Sequence, residues 1–228
     1  EGFYAHAVKT LQLCRAASPM LKYYEAFYLE QSGNSSDASN ALTEAAARSP
    51  RCCFPNRLDE AKVLSFALTL NQADAHAPYY LGCLFYDKRR YEDAQRLWEL
   101  SSQLDATFPT VWRNLSLVYY NQCGQPQKAR EALERAFALD VADARVLLEL
   151  DQLYKKLGVA PSERLEHLRT HEDTMLQRDD LCAEFITSLN LTGRFEEAHT
   201  MLMQRHFHPW EGGEGKVTKQ YILSLIHI

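Results

Sequence analysis

Pro78-Tyr-Tyr-Leu-Gly-Cys-Leu-Phe-Tyr-Asp-Lys-Arg-Arg-Tyr-Glu-Asp-Ala-Gln-Arg-Leu-Trp98 is the stretch that decides the fold. Apolar residues return at helical spacing in two runs, Leu81, Leu84 and Phe85, then Tyr91, Ala94, Leu97 and Trp98. Between them Lys88-Arg-Arg90 is a polar break, so the pattern predicts two amphipathic helices joined by a tight turn. The same order recurs downstream. Trp112, Leu115-Ser116 and Tyr119 precede Ala129 and Leu133, and Cys182, Phe185-Ile186 and Leu189 precede Ala198 and Leu202. Ala94 and Ala129 lie 35 residues apart, and Ala129 and Ala198 lie 69 apart, which is two periods.

The intervening unit starts with Leu147, Leu150-Asp151 and Tyr154. Its second helix is degenerate, because Glu163 stands where the small Ala should be. Gly124, Gly158 and Gly193 form a turn series with the same period, and Arg89 holds the equivalent place in the first unit. A turn glycine supplies the left-handed backbone that ends a helix, and a small residue lets antiparallel helices approach closely. Large aromatic and aliphatic side chains then fill the gaps between hairpins. This period and pattern resemble the tetratricopeptide repeat. The expected fold is an all-α solenoid of tetratricopeptide-type helical hairpins, with about four clear units. No segment alternates with period two for long enough to make a strand.

Working outward, residues 1–74 read as diverged N-terminal helical hairpins. They hold a helix over 3–17, a hairpin pivoting at Gly33, a loop over Cys52–Asn56 and a helix over Arg57–Leu70. Residues 75–207 carry the repeats, and 208–222 are a Gly-rich loop and the start of a further helix. Residues 223–228, Leu-Ser-Leu-Ile-His-Ile, match the translation of a transposon-derived sequencing adaptor. We set them aside as a scar and expect the chain to be an internal fragment of a longer protein.

The chain has 228 residues, 46% hydrophobic and 24% charged, with a formal net charge of −5. That balance argues against nucleic-acid binding, and no apolar run is long enough for a membrane span. The six cysteines, Cys14, Cys52, Cys53, Cys83, Cys123 and Cys182, lack metal-ligand or disulfide-framework spacing. They read as free thiols of a reducing compartment, the cytoplasm, and no cofactor is implied. Asn34, Asn114 and Asn190 open glycosylation-type triplets, which we take as chance matches.

Further runs resemble one family more narrowly. Ala77-Pro-Tyr-Tyr-Leu-Gly82, Tyr86-Asp-Lys-Arg-Arg-Tyr91, Asp143-Ala-Arg-Val146, Cys53-Phe-Pro-Asn-Arg57 and His208-Pro-Trp-Glu-Gly-Gly-Glu-Gly-Lys216 resemble a family of large bacterial proteins. These carry a β-rich domain of unknown function ahead of a long tetratricopeptide array. The resemblance implies that this chain is part of that helical array and that the β-rich domain is one of its partners. A link to carbohydrate chemistry rests on the family's general associations alone.

Three candidate sites follow. First, the concave face of such a repeat is lined by the first helix of each hairpin. The register places Tyr79, Cys83, Tyr86 and Asp87, then Arg113, Leu117, Tyr120 and Asn121, on that face. Arg145, Gln152, Lys155 and Lys156 follow, and then Thr187 and Asn190. Aromatic residues beside Arg and Lys suit an extended protein or peptide segment bearing an acidic group. A solvated face is the plain alternative, and the paired Lys and Asn of carboxylate-clamp repeats are not reproduced.

Second, the run from His206 to Lys216 concentrates two His, two Glu, Trp210 and three Gly. His208, Trp210, Glu211, Glu214 and Lys216 are candidate contacts to a ligand or to another domain. A metal held by His206, His208, Glu211 and Glu214 is outweighed by a packing turn built on Trp210 and the glycines. Gly215-Lys216 is not a phosphate loop, because Trp210 replaces its first Gly and Val217 its Ser or Thr. Third, His167 and His171 stand one helical turn apart, but Leu168 occupies the place of a zincin's glutamate. We expect them on a solvated face among Glu166, Arg169, Glu172 and Asp173. No arrangement for nucleophilic or paired-carboxylate catalysis stands out, so no enzyme activity is expected.

Overall fold

The computed structural model describes residues 2–14, 16 and 18–228, and among them it holds fourteen α-helices and no strand. The chain divides into two compact units, residues 1–124 and 125–228. Unit 1 holds α1 (Gly2–Leu13), α2 (Pro19–Gln31), α3 (Ser35–Ala47), α4 (Leu58–Leu70), α5 (His76–Asp87), α6 (Tyr91–Leu104) and α7 (Pro109–Asn121). Unit 2 holds α8 (Pro126–Leu139), α9 (Ala144–Lys156), α10 (Pro161–Thr170) and α11 (Glu172–Met175). It continues through α12 (Asp179–Leu191), α13 (Phe195–Gln204) and α14 (Lys216–His227). The division falls at Gly124, inside the span read as the repeat array. Of the helix expected over 3–17, α1 covers the part up to Leu13, and residues 15 and 17 lie outside the described set.

The turn series behaves as the period predicts. Gly124, Gly158 and Gly193 have φ of 60°, 76° and 76°, and Arg89 adopts the same left-handed backbone at 60°. At Arg89 the backbone N–H bonds the Tyr86 carbonyl and the Arg90 N–H bonds that of Phe85, closing the last turn of α5. Pro19, Pro109, Pro126 and Pro161 each open a helix, where a missing N–H costs nothing. Asp143 caps α9, its carboxylate accepting the N–H groups of Arg145 at 2.9 Å and Val146 at 3.1 Å.

In unit 1, α2 packs on α1, α3 and α4, and α5 on α4 and α6. The buried Tyr23 hydroxyl donates to Asp74 Oδ2 at 2.7 Å. Asp74 Oδ1 in turn receives the His76 N–H, so one carboxylate ties α2 to the start of α5. The repeat's close approach is tightest at Gly82. An added Cβ there would lie 2.6 Å from the Trp98 ring, whose Nε1 donates to the Tyr79 carbonyl at 3.2 Å. In unit 2, α12 is the central helix and meets α9, α10, α13 and α14. Residues Leu223–His227, set aside on sequence, continue α14, with Ser224 buried.

Candidate functional site

In unit 1 the expected face is carried by α5 and α7, which Asn114 Nδ2 and Cys83 Sγ bring together at 3.6 Å. Burial of Cys83 raises its thiol to about 11, so it stays neutral near pH 7. Tyr86 is half-exposed, its ring 5.1 Å from Tyr91 and 5.4 Å from Trp98, and Asp87 is exposed beside Lys88 Nζ at 2.7 Å. Arg113 and Tyr120 are half-exposed, Asn121 is exposed, and Leu117 is 45% exposed. Tyr79 departs from the expected placement. It is buried, with its ring 4.8 Å from Phe108. Phe108, the residue ahead of α7, folds back over the position that the register aims outward, and burial raises the Tyr79 phenol well above its ordinary value.

In unit 2, Gln152, Lys155 and Lys156 are exposed along the last turns of α9, and Arg145 pairs with Glu149 at 3.2 Å. Thr187 is half-exposed, with its hydroxyl on the Ala183 carbonyl. Asn190 is buried beneath α14, its Nδ2 donating to the Gln220 backbone carbonyl at 3.1 Å and to Gln220 Oε1 at 2.9 Å. Tyr79 and Asn190 are therefore buried rather than set on an open face.

Sequence reasoning missed the most heavily charged feature of unit 2. Arg164 and Asp151, 2% and 1% exposed, form a two-pronged pair, Nε to Oδ1 at 2.9 Å and Nη2 to Oδ2 at 2.5 Å. Glu184 joins from α12, receiving Arg164 at 3.4 Å and Lys155 at 3.0 Å, with Lys216 Nζ 3.9 Å away. Asp151 stands at the register slot that Gly82 takes in the α5–α6 hairpin. The pair's one sequence signal was an Asp at the slot held by Gly82 and Ser116.

The Gly-rich loop is anchored at one carboxylate. Asp179 Oδ2 receives the His208 N–H at 2.9 Å and lies 3.2 Å from His208 Nδ1, while Arg205 Nε donates to its Oδ1 at 2.8 Å. These bonds outweigh burial and hold the Asp179 carboxyl below its usual range. Trp210 lies over Gly213, where a Cβ would come within 2.4 Å of its ring, and Gly215 at φ 71° opens α14. Glu211 and Glu214 are exposed. Among the described residues, no three His, Cys, Asp or Glu side chains are placed to hold a metal.

The expectation for His167 and His171 is corrected. Both rings are half-buried rather than solvated, because His171, at the end of α10, lies against Phe137 and His167 against Tyr154. No helix among the described residues is long and apolar enough to cross a membrane.

No family model matches the chain. Among solved structures it is similar to pilF of Pseudomonas aeruginosa, at 20% identity over 82% of this chain and 90% of that one, with a TM-score of 0.49. It is also similar to YrrB, a TPR protein with an unusual peptide-binding site. That match has 17% identity, covers 98% of this chain and 96% of that one, and has a TM-score of 0.53. At such identity the likeness is one of fold: the chain has the tetratricopeptide-type helical-repeat architecture of the α-solenoid class.

Proposed function

We propose that the chain is a non-catalytic repeat scaffold that holds a protein or peptide segment against the α5–α7 face of unit 1. One observation carries this reading. Tyr86-Asp87 recurs 34 residues later as Tyr120-Asn121, so adjacent first helices present the same aromatic-polar pair at the same register. The half-exposed rings supply contact area at little entropic cost. Arg113 and Asn121 supply hydrogen bonds, and Leu117 an apolar contact. The repeat architecture shared with YrrB, a peptide-binding TPR protein, supports it as analogy. Lys155, Lys156 and Gln152 form a corresponding polar strip in unit 2. The scattered cysteines, with neither metal-ligand nor disulfide-framework spacing, support a cytoplasmic setting.

The test selects binders from a random peptide library on the intact chain. Their affinity is then measured against Tyr86→Leu/Arg113→Ala/Tyr120→Ala, where Leu keeps bulk beside Trp98. The expected loss is about tenfold or more, as for removal of central aromatic and Arg anchors, with melting temperature preserved. Equal affinity of the variant would remove the α5–α7 face from consideration.

A second reading has an observation of its own. Phe54 and Leu58, in or beside the Cys53–Arg57 run that carries the family resemblance, are 78% and 75% exposed. Apolar side chains so placed suit contact with another domain, as in a helical accessory domain of a larger, carbohydrate-related enzyme. Activity confined to the longer parent, and lost on Phe54→Ser/Leu58→Ser or Trp210→Ala, would favour it.

A further inference from the structure

Three helices of unit 2 meet around a cluster of rings that peptide binding does not use. His167 of α10 and His171, the residue that caps its C-terminus, have ring centroids 4.9 Å apart. Phe137 of α8 lies 6.0 Å from His167 and 4.8 Å from His171, and Tyr154 of α9 lies 5.4 Å from His167. His171 Nδ1 donates to the His167 carbonyl at 2.9 Å, whereas His167 Nδ1 is buried and meets no partner.

The carboxylate nearest this cluster is already engaged. Glu134 of α8 receives the Tyr154 hydroxyl at 2.7 Å and Arg130 Nε at 2.8 Å, and the Arg130 guanidinium lies over the Tyr154 ring. On α10 itself Arg164 turns inward to Asp151, while Glu163 and Glu166 are exposed, as are Glu172 and Asp173 of α11.

We propose that His167, packed against His171, forms a proton-operated clasp, in which its neutral ring holds the C-terminal half of α10 against α8 and α9 and its protonation releases it. A proton on His167 loses hydration without gaining an acceptor, and the His171 ring lies only 4.9 Å away. Burial first, and His171 second, hold the His167 imidazole below its ordinary value, with Glu134 opposing. The sign follows. A base with a depressed folded value contributes stability that is intact above its unfolded value and lost as pH falls toward the folded one. Release would be felt further along the chain. The His171 carbonyl accepts the Met175 N–H, the Thr174 hydroxyl donates to the Val141 carbonyl, and Cys182 Sγ donates to the Met175 carbonyl.

The experiment is amide exchange on the intact chain at pH 7.5 and 5.5, corrected for intrinsic rates, in wild type and in His167→Phe/His171→Gln. Protection at Leu165 and Leu168 should fall in wild type by about tenfold on acidification, as one proton taken up preferentially by the open form requires. The double variant should show no such fall. Constant or rising protection in wild type, or the same fall in the variant, overturns the clasp. Should the variant fail to fold, NMR titration of wild-type His167 decides: a midpoint at or above about 6.5, the ordinary imidazole value, overturns it equally.

Discussion

The hairpin α5–α6 in unit 1 and the hairpin α9–α10 in unit 2 solve one problem in opposite ways. Each must bring two antiparallel helices together at the residue after a leucine, Gly82 after Leu81 and Asp151 after Leu150. In the first, the side chain is absent and the Trp98 ring fills the space, so the contact is apolar and close. In the second, a carboxylate and a guanidinium fill it, both desolvated and joined by two hydrogen bonds. Dispersion and apolar burial hold the first contact together, and a charge balance that fails if either partner is lost holds the second.

The largest effect should come from unbalancing that charge. Arg164→Met leaves the buried Asp151 without its partner and should destabilise unit 2 by about 3–5 kcal/mol in denaturant unfolding. Asp151→Leu/Arg164→Met should recover most of this, because replacing a buried pair by apolar groups of similar volume is often near neutral. Glu184 keeps Lys155 and Lys216 in both variants. A double variant no more stable than the single would mean that the pair contributes net stability and is more than a substitute for packing.

The apolar hairpin should break more gently. Gly82→Ala places a methyl 2.6 Å from Trp98 Cδ1 and Nε1. Overpacking of this kind costs about 1–3 kcal/mol. Trp98→Phe, by shortening the ring, should make the Gly82→Ala penalty smaller, a coupling that a double-mutant cycle reads directly. Independent, additive effects would mean that α5 and α6 move apart freely and that Gly82 is not a close-packing residue.

The same contrast explains what the sequence made legible. The turn glycines were readable because one residue type at one spacing implies one backbone conformation. Gly82 with Trp98 was readable because the repeat pattern pairs a small residue with a large one. Asp151 and Arg164 were not, since each alone reads as surface charge on an amphipathic helix. Only the register between α9 and α10 shows that they meet. Tyr79 and Asn190 failed for a related reason. Helical register fixes the direction of a side chain from its own helix, but what covers it comes from elsewhere: Phe108 over Tyr79, and Gln220 of α14 over Asn190. The half-burial of His167 and His171 was hidden in the same way, by Phe137 and Tyr154 from neighbouring helices.

The smallest expected effect tests whether the two hairpins differ in their turns as well as in their contacts. Gly158, which follows α9, has φ 76° and nothing within 4 Å of an added Cβ, so Gly158→Ala incurs a backbone penalty without a clash. Left-handed backbone costs an L-residue roughly 1–2 kcal/mol, partly offset by the reduced freedom of the unfolded chain, so a net loss of about 1 kcal/mol is expected. Arg89, which follows α5, already bears that strain at φ 60°, and Arg89→Gly should return a similar amount or less. Opposite signs in the two hairpins, read as shifts in melting temperature, would show that the turn is a separable device common to both. A destabilising Arg89→Gly would instead show that the Arg89 side chain contributes contacts that outweigh its backbone strain.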